Sequence, residues 1–327
     1  MKTVVLVCAV CYALLLLLPM PYLFDTAAPS PSQPGTTTAP PPNTPATPEP
    51  PTETITVLDD DAGVLYTFDV RDFLIYTVAS EMPASYHEEA LKAQAVAAYT
   101  YYLYEKEHNA DNEKLQGADT SRVPGSFPTY YSPEGLQSLW GDNYEKNLQK
   151  IAAAVDSVFG KRVTYDGKTA LAVYHSGNWG RTETAAVVWG NDYPYLQSVV
   201  STGDLTAESC YSTVTVSETD LKAAFSDVTF SGTADSWVQS DPIRSEAGTV
   251  TAIRIGDKTF TGKEVRTALS LRSACFTVVY QAGEFTFTVR GHGHGVGMSQ
   301  VGANAMAKDG FTYEEILHHY YPSATVI

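Results

Sequence analysis

Apolar side chains recur every three to four positions between residues 69 and 79, which predicts a short amphipathic helix. Pro83 interrupts the pattern, and a long helix is predicted over residues 86–106 because Ser85 and Glu88 have the spacing of a capping box. Alanine dominates this second helix, so neighbouring backbone can approach it closely. The two segments form a helical hairpin with Glu81 at its elbow.

The remaining sequence mixes helix with short strands. A loop rich in Gly, Pro and Ser precedes a helix predicted over residues 133–157, and later runs are short, rich in β-branched residues and separated by turns. The predicted strands include 162–165, 170–174 and 250–255, a hairpin of 276–280 and 284–290, and the predicted terminal helices are 304–309 and 313–319. This pattern indicates an α+β fold in which the hairpin and the long Ala-rich helix pack with a mixed, β-rich lobe. The functional cleft is expected between the lobes.

The amino terminus has the pattern of a membrane segment. Residues 4–24 are apolar and uncharged, and about twenty such residues span a bilayer as a helix. We therefore predict a transmembrane anchor over residues 1–26, with Lys2 favouring a cytoplasmic amino terminus and an extracytoplasmic remainder. This makes the chain a single-pass cell-membrane protein. Thr26-Ala27-Ala28 is also compatible with cleavage of a signal peptide, and that alternative stays open.

Composition divides the rest of the chain in two. Residues 27–54 are nearly all Pro, Thr, Ser and Ala, which predicts an extended, stiff linker without a packed core. Residues 55–327 have ordinary apolar content and are long enough for one sizeable globular domain.

The net charge of −16 narrows the class of partner. Nucleic-acid binding depends on basic contacts to phosphate, and adsorption to anionic lipid also needs basic residues, so both are disfavoured. A neutral polymer rich in hydroxyl groups suits such a surface better.

Two of the four cysteines, Cys210 and Cys275, fall in the predicted external domain. A disulfide between them is expected in an oxidising compartment. No Cys-x-x-Cys lies outside the apolar amino-terminal segment, so a zinc site of the finger type has no support.

Three stretches carry candidate chemistry. The first is Glu81-Met82-Pro83, because one well-placed carboxylic acid is the minimum needed to protonate a glycosidic oxygen. The second is the loop 174–183, which crowds polar residues, two glycines and a Trp after an apolar strand, although a tight turn would explain it equally well. The aromatic residues that follow could stack on sugar rings or form a core seam.

The third stretch is the glycine-rich segment 291–300. His292 and His294, together with His318 and His319, could bind a metal, but the segment lacks a carboxylate or a third fixed ligand. A serine nucleophile is also conceivable, although the Gly-x-Ser-x-Gly elbow is absent. Neither alternative is favoured.

Together these stretches resemble the stage II sporulation protein D family, also called the SpoIID/LytB domain. The matching segments are Glu81-Met82-Pro83, residues 89–98, His175-Ser176 with Gly180-Arg181-Thr182, Trp189-Gly190 with residues 195–199, Leu271-Arg272-Ser273 with Phe276, residues 293–300 with Gly302-Ala303-Asn304, and the terminal residues 316–321. The resemblance spans essentially residues 55–327. It implies a peptidoglycan lytic transglycosylase that acts on glycan strands stripped of their stem peptides, with Glu81 as the catalytic acid.

The resemblance also suggests which residues bind substrate and which partners are involved. The substrate-binding candidates are Lys92, Ser176, Arg181, Tyr195, His294, Ser299 and Gln300. Glycan strands are the expected substrate, with a cell-wall amidase and other engulfment proteins as expected partners. We expect no cofactor, no metal and no nucleic acid.

The sequence departs from the family pattern at two places. Tyr99 stands where the family usually has Arg, and only His108 remains of the cluster that binds zinc in some members. Tyr99 lies about 21 Å along the helix from its cap, too far to reach Glu81. An Arg at this position would therefore grip a distant part of the glycan or brace the cleft loops. The loss of this Arg favours the alternative of a non-catalytic glycan-binding module that stimulates a partner amidase. A metal-dependent amidase is a third possibility and has less support, because its ligands are not convincingly placed.

Overall fold

The structure, a computed structural model, describes residues 53–60, 63–122 and 133–327. Pro50–Ile327 forms one compact unit. The predicted anchor and all but the last two residues of the predicted linker lie outside the described residues. Within the described ranges, no helix combines the length and the apolar character that crossing a bilayer would require.

The predicted helical hairpin is present. Helix α1 spans Val70–Glu81 and α2 spans Glu88–His108, so Glu81 is the last residue of the first helix. The predicted capping box is wrong, because the Tyr86 N–H donates to the Pro83 carbonyl and this turn keeps Ser85 outside the helix. His87 caps α2 instead, with its ring nitrogen accepting the Glu89 N–H.

The helix predicted over residues 133–157 is two helices. Helix α3 is Pro133–Trp140 and α4 is Tyr144–Val158, with a 3₁₀ turn over Gly141–Asn143 between them. Gly141 has φ 51°, a left-handed conformation that interrupts a right-handed helix and that glycine adopts readily.

Short strands and helices make up the rest of the described chain. Helices α5 to α9 are Ala185–Trp189, Glu218–Ala224, Gly262–Ala268, Gln300–Lys308 and Tyr313–Tyr320. Strands β1 to β16 are Thr54–Asp59, Val64–Asp69, Thr120–Arg122, Val163–Tyr165, Lys168–Thr169, Tyr174–His175, Gly180–Arg181, Val200–Ser201, Tyr211–Ser217, Ile243–Arg244, Val250–Ile255, Lys258–Phe260, Phe276–Gln281, Glu284–Arg290, Met298–Ser299 and Thr325–Val326. They pair in small sheets ordered β2-β1-β3, β10-β11-β12, β13-β14-β9, β15-β6, β16-β4-β5 and β7-β8.

Two hydrophobic cores organise these elements. The first, the helical core, contains the buried faces of α1, α2, α4, α8 and α9. The second, the β core, is built from residues between 214 and 289 and includes Phe276, Phe285 and Phe287. The α+β class is therefore confirmed. The predicted hairpin of β13 and β14 is also confirmed, with Ala282 and Gly283 both at positive φ in its turn.

The expected disulfide is absent, since Cys210 and Cys275 are both free. Cys210 precedes β9 and Cys275 precedes β13, and these strands flank β14 on opposite sides. Adjacent strands lie about 4.8 Å apart, so positions two strands apart are about 10 Å apart. A disulfide needs Cα atoms within about 7 Å.

We predict that both thiols are free in the purified protein. Burial and the nearby Asp204 raise the pKa of Cys210 to about 12, so its alkylation should be slow until the chain is unfolded. Alkylation in denaturant without reductant, followed by peptide mass analysis, should label Cys210 and Cys275 fully. A peptide pair linked through these residues would contradict the strand order.

Candidate active site

The elbow before α2 is held on several sides. The Lys150 ammonium of α4 donates to the carbonyls of Ala84 (2.7 Å) and Tyr86 (2.6 Å). The Asn304 side chain of α8 accepts the His87 N–H at 2.8 Å. Met82 is fully buried in the helical core. The elbow that follows Glu81 is therefore fixed by side chains from two helices, α4 and α8.

The carboxylate of Glu81 lies in a polar cluster. Its Oε2 accepts a hydrogen bond from the side-chain amide of Gln300 at 3.0 Å, and the same amide nitrogen lies 3.5 Å from the Gln94 carbonyl oxygen. Burial raises the pKa of Tyr174 well above its usual value, and the charge of Glu81 adds to the shift. We call Glu81, Gln94, Tyr174 and Gln300 the Glu81 cluster. It brings a half-buried acid together with amides and a neutral phenol.

Gln300 is placed by the start of α8. The preceding residue, Ser299, is the helix cap, and its hydroxyl accepts the Gly302 N–H at 3.0 Å. The same hydroxyl donates to Asp204 Oδ1 at 2.6 Å. The Ser201 hydroxyl and the Asn178 N–H also donate to Asp204, at 2.5 and 3.0 Å. A buried carboxylate thus fixes the helix end that carries Gln300.

Asp204 itself is fully buried in a 3₁₀ turn, Thr202–Thr206. Burial raises the pKa of this carboxyl group, and its hydrogen bonds from Ser201 and Ser299 oppose the shift. Gly302 passes so close to Ser201 and Tyr320 that a Cβ would overlap their hydroxyl oxygens. The network therefore needs glycine at this position of α8.

Two histidines from the sequence motifs lie together beside Tyr174. The ring centroids of His175 and His294 are 5.7 Å apart. Burial lowers their pKa values to about 3 and about 4, so both rings are neutral at pH 7. His294 accepts the Val296 N–H through Nδ1 and donates to the Tyr174 carbonyl, which fixes its tautomer.

A groove of about 620 Å³ opens beside His294. Val187, Val188 and Trp189 of α5 form one wall, and β11 and α7 form the other. The indole of Trp189 lies 5.1 Å from the His294 ring. This groove lies between elements of the helical core and elements of the β core, where the cleft is predicted.

The other substrate-binding candidates are dispersed. Lys92 forms ion pairs with Glu88 (2.6 Å) and Glu89 (2.9 Å) in the first turn of α2. Arg181 donates to the Ser198 carbonyl and hydroxyl, each at 3.3 Å. Ser176 is half-buried, and its carbonyl accepts the Val301 N–H. These contacts do not bring Lys92, Arg181 or Ser176 to the Glu81 carboxylate.

Ser299 and Tyr195 are both buried, and neither side chain is available to bind substrate beside Glu81. Ser299 is fully buried, because it caps α8 and donates to Asp204, so its hydroxyl supports the helix end rather than facing a ligand. Tyr195 is buried too, with its hydroxyl accepting the Leu171 N–H. Tyr195 borders a different groove, which is also lined by Tyr104 of α2. Tyr104 is ten residues after Gln94 on the same helix, so this groove lies about 15 Å along α2 from the Glu81 cluster.

Tyr99 lies at the opposite end of α1 from Glu81. Its hydroxyl donates to Glu53 at 3.2 Å, and its ring stacks on Phe159 with centroids 5.9 Å apart. The Glu53 carbonyl accepts the N–H of Val70, the first residue of α1, and the helix's 12 residues span about 17 Å. Tyr99 is buried, and its contacts with Glu53 and Phe159 place it away from the Glu81 cluster.

We predict that Tyr99→Arg does not change the cleavage of glycan strands that the resemblance implies. A long Arg side chain can follow the same path and pair with Glu53 at the surface, so the change in unfolding free energy should stay within about 2 kcal/mol. Steady-state kinetics and chemical denaturation would measure both, with Tyr99→Phe as the matched control. A change in kcat/KM above about tenfold in the folded variant would contradict this placement.

Sequence reasoning missed several residues of the site. Gln94 is a polar side chain on the stripe that Leu91, Ala95 and Ala98 mark as buried, and that mismatch is the signal that could have found it. Asp204 and Lys150 carry no comparable signal, since their partners lie far away in sequence. Among the residues that the structure describes, no three His, Cys, Asp or Glu side chains are grouped to hold a metal ion. His319 bonds the Val200 carbonyl, and His108 stacks on Tyr104.

Comparison with known proteins adds independent information. A family model described as stage II sporulation protein matches residues 59–165. The chain is 32% identical to the stage II sporulation protein D of Bacillus amyloliquefaciens, over 100% of this chain and 96% of that relative. It is 35% identical to the protein of the same name from Bacillus subtilis, over 79% of this chain and 74% of the relative. An amidase enhancer of Bacillus subtilis is 29% identical over 76% of this chain but only 39% of its own length.

Proposed function

Because the chain belongs to the stage II sporulation protein D family, we propose that it is a peptidoglycan lytic transglycosylase with Glu81 as its acid. The observation that carries the proposal is the hydrogen bond between Gln300 and Glu81, at 3.0 Å. It joins the two most specific motifs of the resemblance, which lie 219 residues apart, at one half-buried carboxyl group. We further propose that the chain is anchored to the membrane and acts on the cell wall during sporulation.

The proposed reaction uses Glu81 twice. In its protonated form Glu81 donates a proton to the oxygen that links N-acetylmuramic acid to N-acetylglucosamine, and the C1–O bond breaks. The resulting carboxylate then removes the proton from the C6 hydroxyl of the same muramoyl residue. That oxygen attacks C1 and closes a 1,6-anhydro ring. The nucleophile belongs to the substrate, so the mechanism needs no second carboxylate of the kind that glycosidases use.

The neighbours of Glu81 fit this use. A single carboxylate oxygen accepts from Gln300, which orients the group without neutralising it. Tyr174 keeps its phenolic proton because burial raises its pKa, so it adds no charge beside the acid. The buried Asp204 network holds the start of α8 and with it the Gln300 amide. Such preorganisation is where much of an enzyme's rate enhancement arises.

Product analysis tests the proposal directly. The full chain would be incubated with glycan strands freed of stem peptides, and the products would be separated and weighed by mass spectrometry. We expect muramoyl ends that carry the 1,6-anhydro ring and therefore lack one water relative to hydrolysis products. Strands that remain intact at high enzyme concentration would overturn the assignment.

A second candidate function rests on one of the relatives. The similarity to a protein named amidase enhancer favours a module that binds glycan and stimulates a partner amidase. Tyr99 is buried against Glu53, so this departure from the family pattern does not alter the surroundings of the acid. If the protein raised the rate of a cell-wall amidase and its Glu81→Gln variant did so equally well, stimulation would be independent of the acid.

We predict that Gln300→Ala lowers kcat about tenfold or more while KM stays nearly unchanged. The amide orients Glu81 and has no need to contact the sugar, so its loss acts on the chemical step. Steady-state kinetics on peptide-free strands would measure the effect. Gln149→Ala, which truncates an exposed glutamine of α4, is the matched control. A rise in KM with unchanged kcat would show that Gln300 binds substrate instead.

A further inference from the structure

The groove beside His294 has an unusual distribution of charge. The protein has 37 acidic and 21 basic Lys or Arg residues, yet the side chains that line this groove include Lys263 and Arg266 and no carboxylate. Both cations lie on α7, one helical turn apart. Within the described part of the chain, no Asp or Glu lies within ion-pairing distance of either.

Arg266 is half-buried without a compensating charge. Its Nε donates to the Leu271 carbonyl at 3.3 Å, which fixes the direction of the guanidinium group. Burial lowers its pKa, and its charge in turn helps to lower the pKa values of His292 and His294. Arginine nevertheless remains protonated at neutral pH. A positive field at this groove is therefore a fixed property of the fold, and His294 contributes no charge to it.

The wall of the groove formed by α5 can pack against the apolar face of a sugar ring. Trp189 is 36% exposed and Val187 is 42% exposed, so α5 presents an apolar and aromatic surface to the groove. Thr249, Thr251 and Thr261 also line the groove, but the hydroxyls of Thr251 and Thr261 already donate to the Ile243 carbonyl and the Glu264 carboxylate. An aromatic and apolar surface opposite two cations matches a ligand with one apolar face and a negative charge. A volume of about 620 Å³ exceeds what a single small anion would need.

The groove also adjoins the Glu81 cluster through one strand. His294 donates to the carbonyl of Tyr174 in β6, and the side chain of Tyr174 belongs to that cluster. Tyr174 therefore connects the His294 ring at the groove with the Glu81 cluster.

We propose that this groove binds an N-acetylmuramic acid unit whose lactyl carboxylate is free, with Arg266 and Lys263 as the residues that recognise the carboxylate. The inference rests on the proposed function. When a stem peptide is attached, the lactyl group is an amide and carries no charge, so it loses its attraction to the two cations. Arg266 and Lys263 thus select strands from which the peptides have been removed.

Binding to two matched tetrasaccharides of alternating N-acetylglucosamine and N-acetylmuramic acid tests the inference. One probe carries free lactyl carboxylates, and the other carries the same groups as methylamides. Calorimetry on the full chain with Glu81→Gln, which prevents turnover, should show the free acid binding about tenfold tighter, a difference of 1.4 kcal/mol. The preference should shrink as salt is raised.

Variants assign the effect to the two cations. Lys263→Gln removes an exposed charge and should reduce the preference without disturbing the fold. The double variant with Arg266→Gln should bind both probes equally, at the affinity that the wild-type groove has for the methylamide. Lys161→Gln, which removes an exposed lysine elsewhere, should keep the preference intact.

The outcomes separate this inference from the proposed function. Equal binding of both probes by the parent protein, or a preference that survives both substitutions, would overturn the inference while leaving strand cleavage untouched. A preference that depends on Lys263 in a protein that releases no anhydro product would support the inference for a glycan-binding module and overturn the transglycosylase assignment.

Discussion

Replacing Glu81 with Gln should reduce the release of anhydro-muramoyl products by about a thousandfold or more, while leaving the fold intact. General acid–base catalysis contributes about a hundred- to ten-thousandfold, and Glu81 is proposed to act first as acid and then as base. The amide cannot donate a proton to the glycosidic oxygen. It still offers an oxygen to the Gln300 amide, so the local geometry survives.

Rates on peptide-free strands, with circular dichroism and thermal unfolding on the same samples, would measure this effect. Glu145→Gln, an exposed acid in the first turn of α4, is the matched control and should keep full activity. A folded Glu81→Gln protein that cleaves strands at the normal rate would remove Glu81 from the mechanism.

Replacing Asp204 with Ala should lower the free energy of unfolding by about 3 kcal/mol or more. The substitution leaves the hydroxyls of Ser201 and Ser299 and the Asn178 N–H without their acceptor in the protein interior, and it opens a cavity. The start of α8 also loses its support, so cleavage should fall in the fraction that remains folded. Chemical denaturation monitored by tryptophan fluorescence would measure the stability.

Asp204→Asn separates the hydrogen bonds from the charge. The amide keeps an acceptor for Ser299, and the Ser201 and Tyr320 hydroxyls can exchange the donor role, so this variant should lose much less stability. Burial raises the folded-state pKa of Asp204. Its carboxyl group therefore stabilises the fold most below the unfolded-state pKa of about 3.9. That contribution is lost as the pH rises through the folded-state pKa. The stability of Asp204→Asn relative to wild type should therefore increase across that pH window. A difference that stays constant, or one that decreases, would contradict the raised pKa.

Sequence patterns predicted those elements whose structure depends on residues close together in the chain. The periodicity around Phe73 and Leu74 predicted α1, and a turn at Gln281-Ala282-Gly283 predicted the β13–β14 hairpin. The capping box failed because Ser85 enters a turn with Pro83, and the helix before residue 158 is broken because Gly141 adopts a positive φ. In both cases the sequence pattern is compatible with a helix, but one local feature prevents it: the turn at Pro83 in the first and the left-handed Gly141 in the second.

The site was predicted less completely than the fold. Glu81 and Gln300 were found as separate motifs, and only the structure brings them together across 219 residues. The disulfide failed because pairing depends on strand order, which places β14 between Cys210 and Cys275. Lys263 and Arg266 belong to no motif, and their role depends on the walls that surround them rather than on their spacing.

The origin of the oxygen at the new muramoyl end tests the central claim most directly. The reaction would be run on peptide-free strands in water enriched in the heavy oxygen isotope, and the products would be weighed by mass spectrometry. An intramolecular attack by the C6 hydroxyl predicts anhydro ends that contain no solvent oxygen. Reducing muramoyl ends that carry the heavy isotope would show hydrolysis instead, and would contradict Glu81 acting as both acid and base on the substrate's own nucleophile.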